Sequence, residues 1–99
     1  MLAPLLADEL AAKDAIAALL PIRERVLGPD HPETLTTLEN LASWTGEAGD
    51  AAGARDQLAA LVPVEERVLG PEHPNTLTDR ASLIRWTQAA RSGRWRRRK

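Results

Sequence analysis

Apolar residues recur along this chain at spacings of three and four. From Pro32 onward, Leu35, Leu38, Leu41, Ala42 and Trp44 trace one stripe, and from Asp50 onward Ala51, Ala54, Leu58, Leu61, Val62, Val68 and Leu69 trace another. That period belongs to amphipathic helices packed on one side. A run of polar and helix-breaking residues, VLGPDHP at 26–32, separates the first long apolar segment from the second, and VLGPEHP at 68–74 does the same later. Gly28 and Gly70 suit the left-handed residue that ends a helix. Pro29 and Pro71 follow where a helix cannot continue. His31 and His73 fall at the next N-cap, with Pro32 and Pro74 at the first helical position, where a missing N–H costs nothing. Glu33 places a negative charge at the positive end of the helix dipole. Gly46 and Gly49 read as loosening the end of that helix, and Asp50 caps the next.

The punctuation repeats. Residues 19–45, LLPIRERVLGPDHPETLTTLENLASWT, return as LVPVEERVLGPEHPNTLTDRASLIRWT at 61–87, offset by 42 positions throughout. A weaker match pairs ADELAAKDAIAAL at 7–19 with GDAAGARDQLAAL at 49–61. An internal period of this size marks a solenoid of helical hairpins. The expected fold is all-α: about four antiparallel helices, the long ones over about 8–27 and 50–69. Pro21 and Pro63 sit inside the long helices at the same phase. A kink is preferred to a break there, since each proline removes one backbone hydrogen bond at about 3 kcal/mol. Residues 1–90 read as the repeat region and 91–99 as a basic, disordered tail.

Length and composition agree. Ninety-nine residues allow one domain with a modest core. Alanine and leucine dominate, Phe and Tyr are absent, and there is no cysteine, hence no disulfide or thiolate chemistry. The N-terminus lacks the basic region of a signal peptide, and no window reaches the roughly 18 uncharged apolar residues of a membrane span. A soluble cytoplasmic protein is expected.

On the motifs RERVLGPDHPETL (23–35), ERVLGPEHPNTL (66–77) and ENLASWTGEAGDAAGA (39–54), the chain resembles the 42-residue tetratricopeptide variant found in kinesin light chains and in many bacterial proteins. The resemblance covers roughly residues 8–90. It implies a helix order B, A, B, A. Ala42 becomes the small residue of helix A that admits helix B, Ala54 and Ala12 its small counterparts on helix B, and Leu58 and Ile16 the large apolar position one turn later. It also implies a protein–protein interaction scaffold whose helix A segments line a concave face. The residues assigned to that face are Thr36, Glu39, Asn40, Ser43 and Glu47 in the first copy and Thr78, Ser82, Arg85 and Gln88 in the second. Asn40 matches the asparagine that hydrogen-bonds a bound peptide backbone. The second copy departs from the pattern: Ile84 stands at the place of Ala42, Ser82 at that of Asn40 and Arg91 at that of Gly49. After Arg91, SGRWRRRK has no counterpart, which reads as a truncated array. Leu2, Leu5, Leu6, Leu83 and Ile84 are expected to be exposed, favouring end-to-end self-association. A structural fragment without independent activity is the alternative.

Charge adds a third reading. Residues 1–90 carry all fourteen acidic and seven basic residues, a net −7, whereas 91–99 carry +6. Arg94, Trp95, Arg96, Arg97, Arg98 and Lys99 could hold a polyanion, but the acidic body argues against nucleic acid. His31 and His73 lack the convergent ligands of a zinc site. The Glu65–Glu66 pair could suggest acid–base work, but adjacent helical residues diverge by about 100°. No nucleophile elbow, phosphate loop or metal-ligand spacing occurs. The sequence therefore predicts no catalytic residues, no metal and no cofactor.

Overall fold

The computed structural model describes residues 2–92, with side chains from residue 14 onward. The tail residues Arg94 to Lys99 and the side chains of Leu2, Leu5, Leu6 and Ala12 lie outside what is described. Four helices follow one another: α1 (Leu2–Val26), α2 (Pro32–Glu47), α3 (Ala51–Val68) and α4 (Pro74–Ser92). Each packs on its neighbour in sequence, as expected of stacked helical hairpins. α4 runs through Arg91 to Ser92. Among the described residues no helix is long and apolar enough to cross a membrane.

The linkers form by the local chemistry read from the sequence. Gly28 and Gly70 adopt φ of +101° and +108°, a region costly to any residue with a Cβ. Nδ1 of His31 accepts the backbone N–H of Glu33 at 3.0 Å, and Nδ1 of His73 accepts that of Asn75 at 3.0 Å. Both histidines are thus N-caps, which ties them to the backbone rather than to a metal. The buried Thr34 hydroxyl donates to the carbonyl of Gly28 at 2.8 Å, fastening the linker to α2. Asp50 caps α3 by accepting from the N–H of Gly53 at 2.8 Å.

α1 and α3 run unbroken through Pro21 and Pro63. Both prolines lie on exposed faces together with Ala17 and Ala59, four residues earlier, so water can bond the carbonyls that the prolines leave unpaired.

The core gathers Leu35 and Ala42 of α2, Ala51, Ala54, Leu58 and Leu61 of α3, and Trp86 of α4. Ala54 is wholly enclosed, at 0% exposure, and Ala42 is at 1%, as the small positions of two closely packed helices should be. Three expectations change. Trp44 is only half-buried, whereas its repeat mate Trp86 is 2% exposed. Leu83, expected to be exposed, is half-buried against the core, whereas Ile84 is 57% exposed as expected. Gly46 does not loosen a helix end: it is buried within α2, with the Trp86 indole on top of it. A Cβ placed on Gly46 would come to 2.4 Å from Cζ2 of Trp86 and 2.5 Å from Cε2.

Two stability predictions follow from this packing. Gly46→Ala should destabilise the chain by about 1–3 kcal/mol, because displacing a buried indole outweighs the gain of about 0.5–1 kcal/mol in helix propensity. Urea melts would show it, and a more stable variant would refute the seating. His31→Ala should cost roughly 1 kcal/mol, with His31→Asn recovering most of it by restoring an N-cap acceptor.

Candidate functional site

The polar stripe assigned to helix A is present on the surface. On α2, Thr36, Asn40, Ser43 and Glu47 are exposed at spacings of four, three and four, which is one face of the helix. On α4, Thr78, Arg85 and Gln88 are exposed and Ser82 is half-buried. The Arg85 guanidinium lies 4.5 Å from the centroid of the Trp86 ring, a cation–π contact that holds it against the body.

Only part of this face meets a concavity. Thr36 and Asn40 line a hollow of about 210 Å³ between α1 and α2, with Thr37 and Glu33 beside them. Ile16, Leu19 and Arg23 form the α1 side. The Arg23 guanidinium reaches Oε1 of Glu33 at 2.8 Å across the rim. Apolar and polar side chains side by side suit a recognition pocket, and the volume is below the roughly 300–1,000 Å³ usual for small-molecule sites. It is sized for a few side chains of a polypeptide.

Glu39 departs from the assigned face. It is half-buried and turns the other way, toward Glu65 of α3 and Asp79 of α4. One carboxylate oxygen from each of the three lies within 4.8 Å of the other two. Glu65 is 1% and Asp79 2% exposed. Glu66, by contrast, faces outward and bonds Nη2 of Arg80 at 2.6 Å, so the adjacent glutamates do diverge as helical geometry requires. The other ion pairs among the described residues, Arg23–Glu33, Arg55–Asp56 and Arg67–Asp30, also lie elsewhere.

Burial and mutual repulsion favour protons on this trio. Burial raises Glu39 to about 7, with the nearby Asp79 charge adding to it. Burial raises Asp79 to about 7, helped by Glu65. Glu65 is raised by burial, opposed by a hydrogen bond with Asp79. Without a cation between them, carboxyl groups this close share a proton more readily than they carry two charges.

By motif, the sequence points to Glu65 only as a neighbour of Glu66 and does not point to Asp79 at all. The available signal was phase: Glu65 stands four residues after Leu61 and four before Leu69, and Asp79 stands four before Leu83 and seven before Trp86. Both therefore occupy core-facing turns.

The model of one protein family, the tetratricopeptide repeat, matches residues 11–33 and 34–75. The second stretch has the length of the internal period. No curated protein sequence matches the chain.

The pH dependence of stability follows from the trio. Between roughly pH 4 and 7 the folded chain keeps protons on Glu39 and Asp79 that the unfolded chain has released, so stability falls as pH rises through that window. In thermal melts without divalent ions, Tm should be several degrees lower at about pH 8 than at about pH 5. Asp79→Asn should flatten this slope, and an unchanged slope would contradict the assignment.

Proposed function

The chain belongs to the tetratricopeptide repeat family, whose repeats generally mediate protein–protein interaction and typically act as non-enzymatic scaffolds, and on that premise we propose that it binds a polypeptide partner in the hollow between α1 and α2. The observation that carries this reading is the placement of Thr36 and Asn40, two residues of the helix A face, in one hollow with Ile16 and Leu19. An apolar side chain of the partner would sit on Ile16 and Leu19. Asn40, which offers both a donor and an acceptor, would bond the partner's backbone. Ser43 and Glu47 continue the same stripe beyond the hollow and would contact flanking residues.

The α4 residues Thr78, Ser82, Arg85 and Gln88 would extend the contact more weakly. Arg85 already gives part of its cationic surface to Trp86. Glu39 is outside the proposed contact, because it faces Glu65 and Asp79. A contact limited to the hollow and its flanks would fall below the roughly 1,000 Å² of stable interfaces, so a transient, micromolar interaction is the expected class.

Peptides selected from a random display library against the chain provide the test. Asn40→Ala should weaken their binding about tenfold, and Leu19→Glu should abolish it by placing a charge among the apolar side chains of the hollow. Arg85→Ala should have a smaller effect. Wild-type affinity in both Asn40→Ala and Leu19→Glu would sink the proposal.

A further inference from the structure

We propose that Glu39, Glu65 and Asp79 form a binding site for a hard divalent cation, of the Ca²⁺, Mn²⁺ or Mg²⁺ class, at the junction of α2, α3 and α4. The site is separate from the hollow, and its existence does not rest on the peptide-binding reading.

The geometry comes first. The three donor oxygens lie within 4.8 Å of one another. Oxygens that share one ion can be no farther apart than twice the metal–oxygen distance, about 4.2 Å for Mg²⁺ and roughly 5 Å for Ca²⁺, so the spacing suits the larger ions best. Each donor comes from a different helix, so an ion here would tie α4 to the α2–α3 hairpin.

The second observation is independent of that clustering. Beyond the contact between the two carboxyl groups themselves, Oε1 of Glu65 and Oδ2 of Asp79 are enclosed and meet no N–H or hydroxyl donor of the described residues, on side chains that are 1% and 2% exposed. Buried carboxylate oxygens without a donor are costly, and a cation is one of the few groups able to satisfy several together. Among the described residues no side-chain cation does so: Arg80, adjacent to Asp79 in sequence, is bonded to Glu66. Glu39 is only half-buried, which leaves access from solvent.

Donor chemistry selects the class of ion. Three carboxylates with no imidazole or thiolate favour Ca²⁺, Mn²⁺ or Mg²⁺ over Zn²⁺ or copper. The trio is also peculiar to this junction. One repeat earlier, Arg23 stands at the position of Glu65 and Thr37 at that of Asp79, and one repeat later Ala81 stands at that of Glu39. The sequence reading named no metal ligand because these three residues share no short motif.

Protons and the cation compete for the same oxygens, so affinity should rise with pH. The experiment uses the full chain, stripped with EDTA and titrated calorimetrically with CaCl₂, MnCl₂ and MgCl₂, with thermal melts in parallel. At about pH 7.5 at least one of these ions should bind once per chain and raise Tm by roughly 5–10 °C at saturation. That affinity should drop about tenfold or more at about pH 5.5. The double variant Glu65→Gln, Asp79→Asn should stay helical, lose the binding and melt independently of the ion. Should that variant not fold, Glu39→Gln at the half-exposed edge should weaken binding about tenfold. The proposal is overturned by no one-to-one binding of any of the three ions up to about 1 mM, the weak limit of known protein Ca²⁺ sites. It is equally overturned by an unchanged ion-induced Tm shift in the double variant, or by wild-type affinity in Glu39→Gln.

Discussion

The seating of Trp86 on Gly46 sets the register between α2 and α4, and much of the rest depends on it. Gly46 stands seven residues after Glu39, and Trp86 stands seven after Asp79, so both pairs are separated by about two turns. The indole meets Gly46, and the Asp79 carboxylate meets that of Glu39. The two helices therefore run in the same direction, as the first helices of consecutive hairpins do in a solenoid. One glycine and one tryptophan, forty residues apart, thus decide where an acidic residue of α4 comes to rest. Glu65 completes the set from α3, which packs against both α2 and α4.

The two ends of this short stack do different work with equivalent positions. Ile16, Leu19, Arg23 and Thr37 correspond through the 42-residue period to Leu58, Leu61, Glu65 and Asp79. Around α1 the first set is partly open and lines the hollow. Around α3 the second set is enclosed between α2 and α4. Arg23 at the open place can reach water and bond the exposed Glu33. At the enclosed place a carboxylate has no such outlet, and only protons or a cation relieve it. The repeat position thus carries a cation where α2 alone packs beside it and a carboxylate where α2 and α4 both do.

Most of the fold was legible because its determinants are local. The αL glycines, the histidine N-caps, the Pro at the first helical position and the small Ala42 and Ala54 each act through residues within a turn or two, or through the repeat that displays them twice. What the sequence misassigned depended on distant partners. Gly46 resembles a helix-loosening glycine until Trp86, forty residues on, is placed over it. Glu39 shares a helix with the surface stripe, and only the positions of Glu65 and Asp79 show that it belongs to the interior. Glu65 pairs with Glu66 in the sequence, whereas its spatial partners come from the helices before and after. The exposure of Thr36, Asn40, Ser43 and Glu47 follows directly from helical phase. Which of those residues enter a hollow depended on α1, and phase alone does not supply that.

Asn40 and Glu39 are neighbours on α2 that face different surroundings, the one lining the hollow and the other meeting Glu65 and Asp79. α2 is therefore shared between the open surface and the enclosed carboxylates. Its axis is held on one side by the Arg23–Glu33 pair and the Thr34 bond to the Gly28 carbonyl, and on the other by the Gly46–Trp86 contact. Exposed ion pairs contribute at most about 1 kcal/mol each. The tighter restraint on α2 is therefore the packed side, where Ala42 and Gly46 leave no room for displacement. A helix fixed from behind would lose little freedom if a partner docked on its open face as proposed, and that rigidity is what a four-helix stack can offer in place of a large contact area.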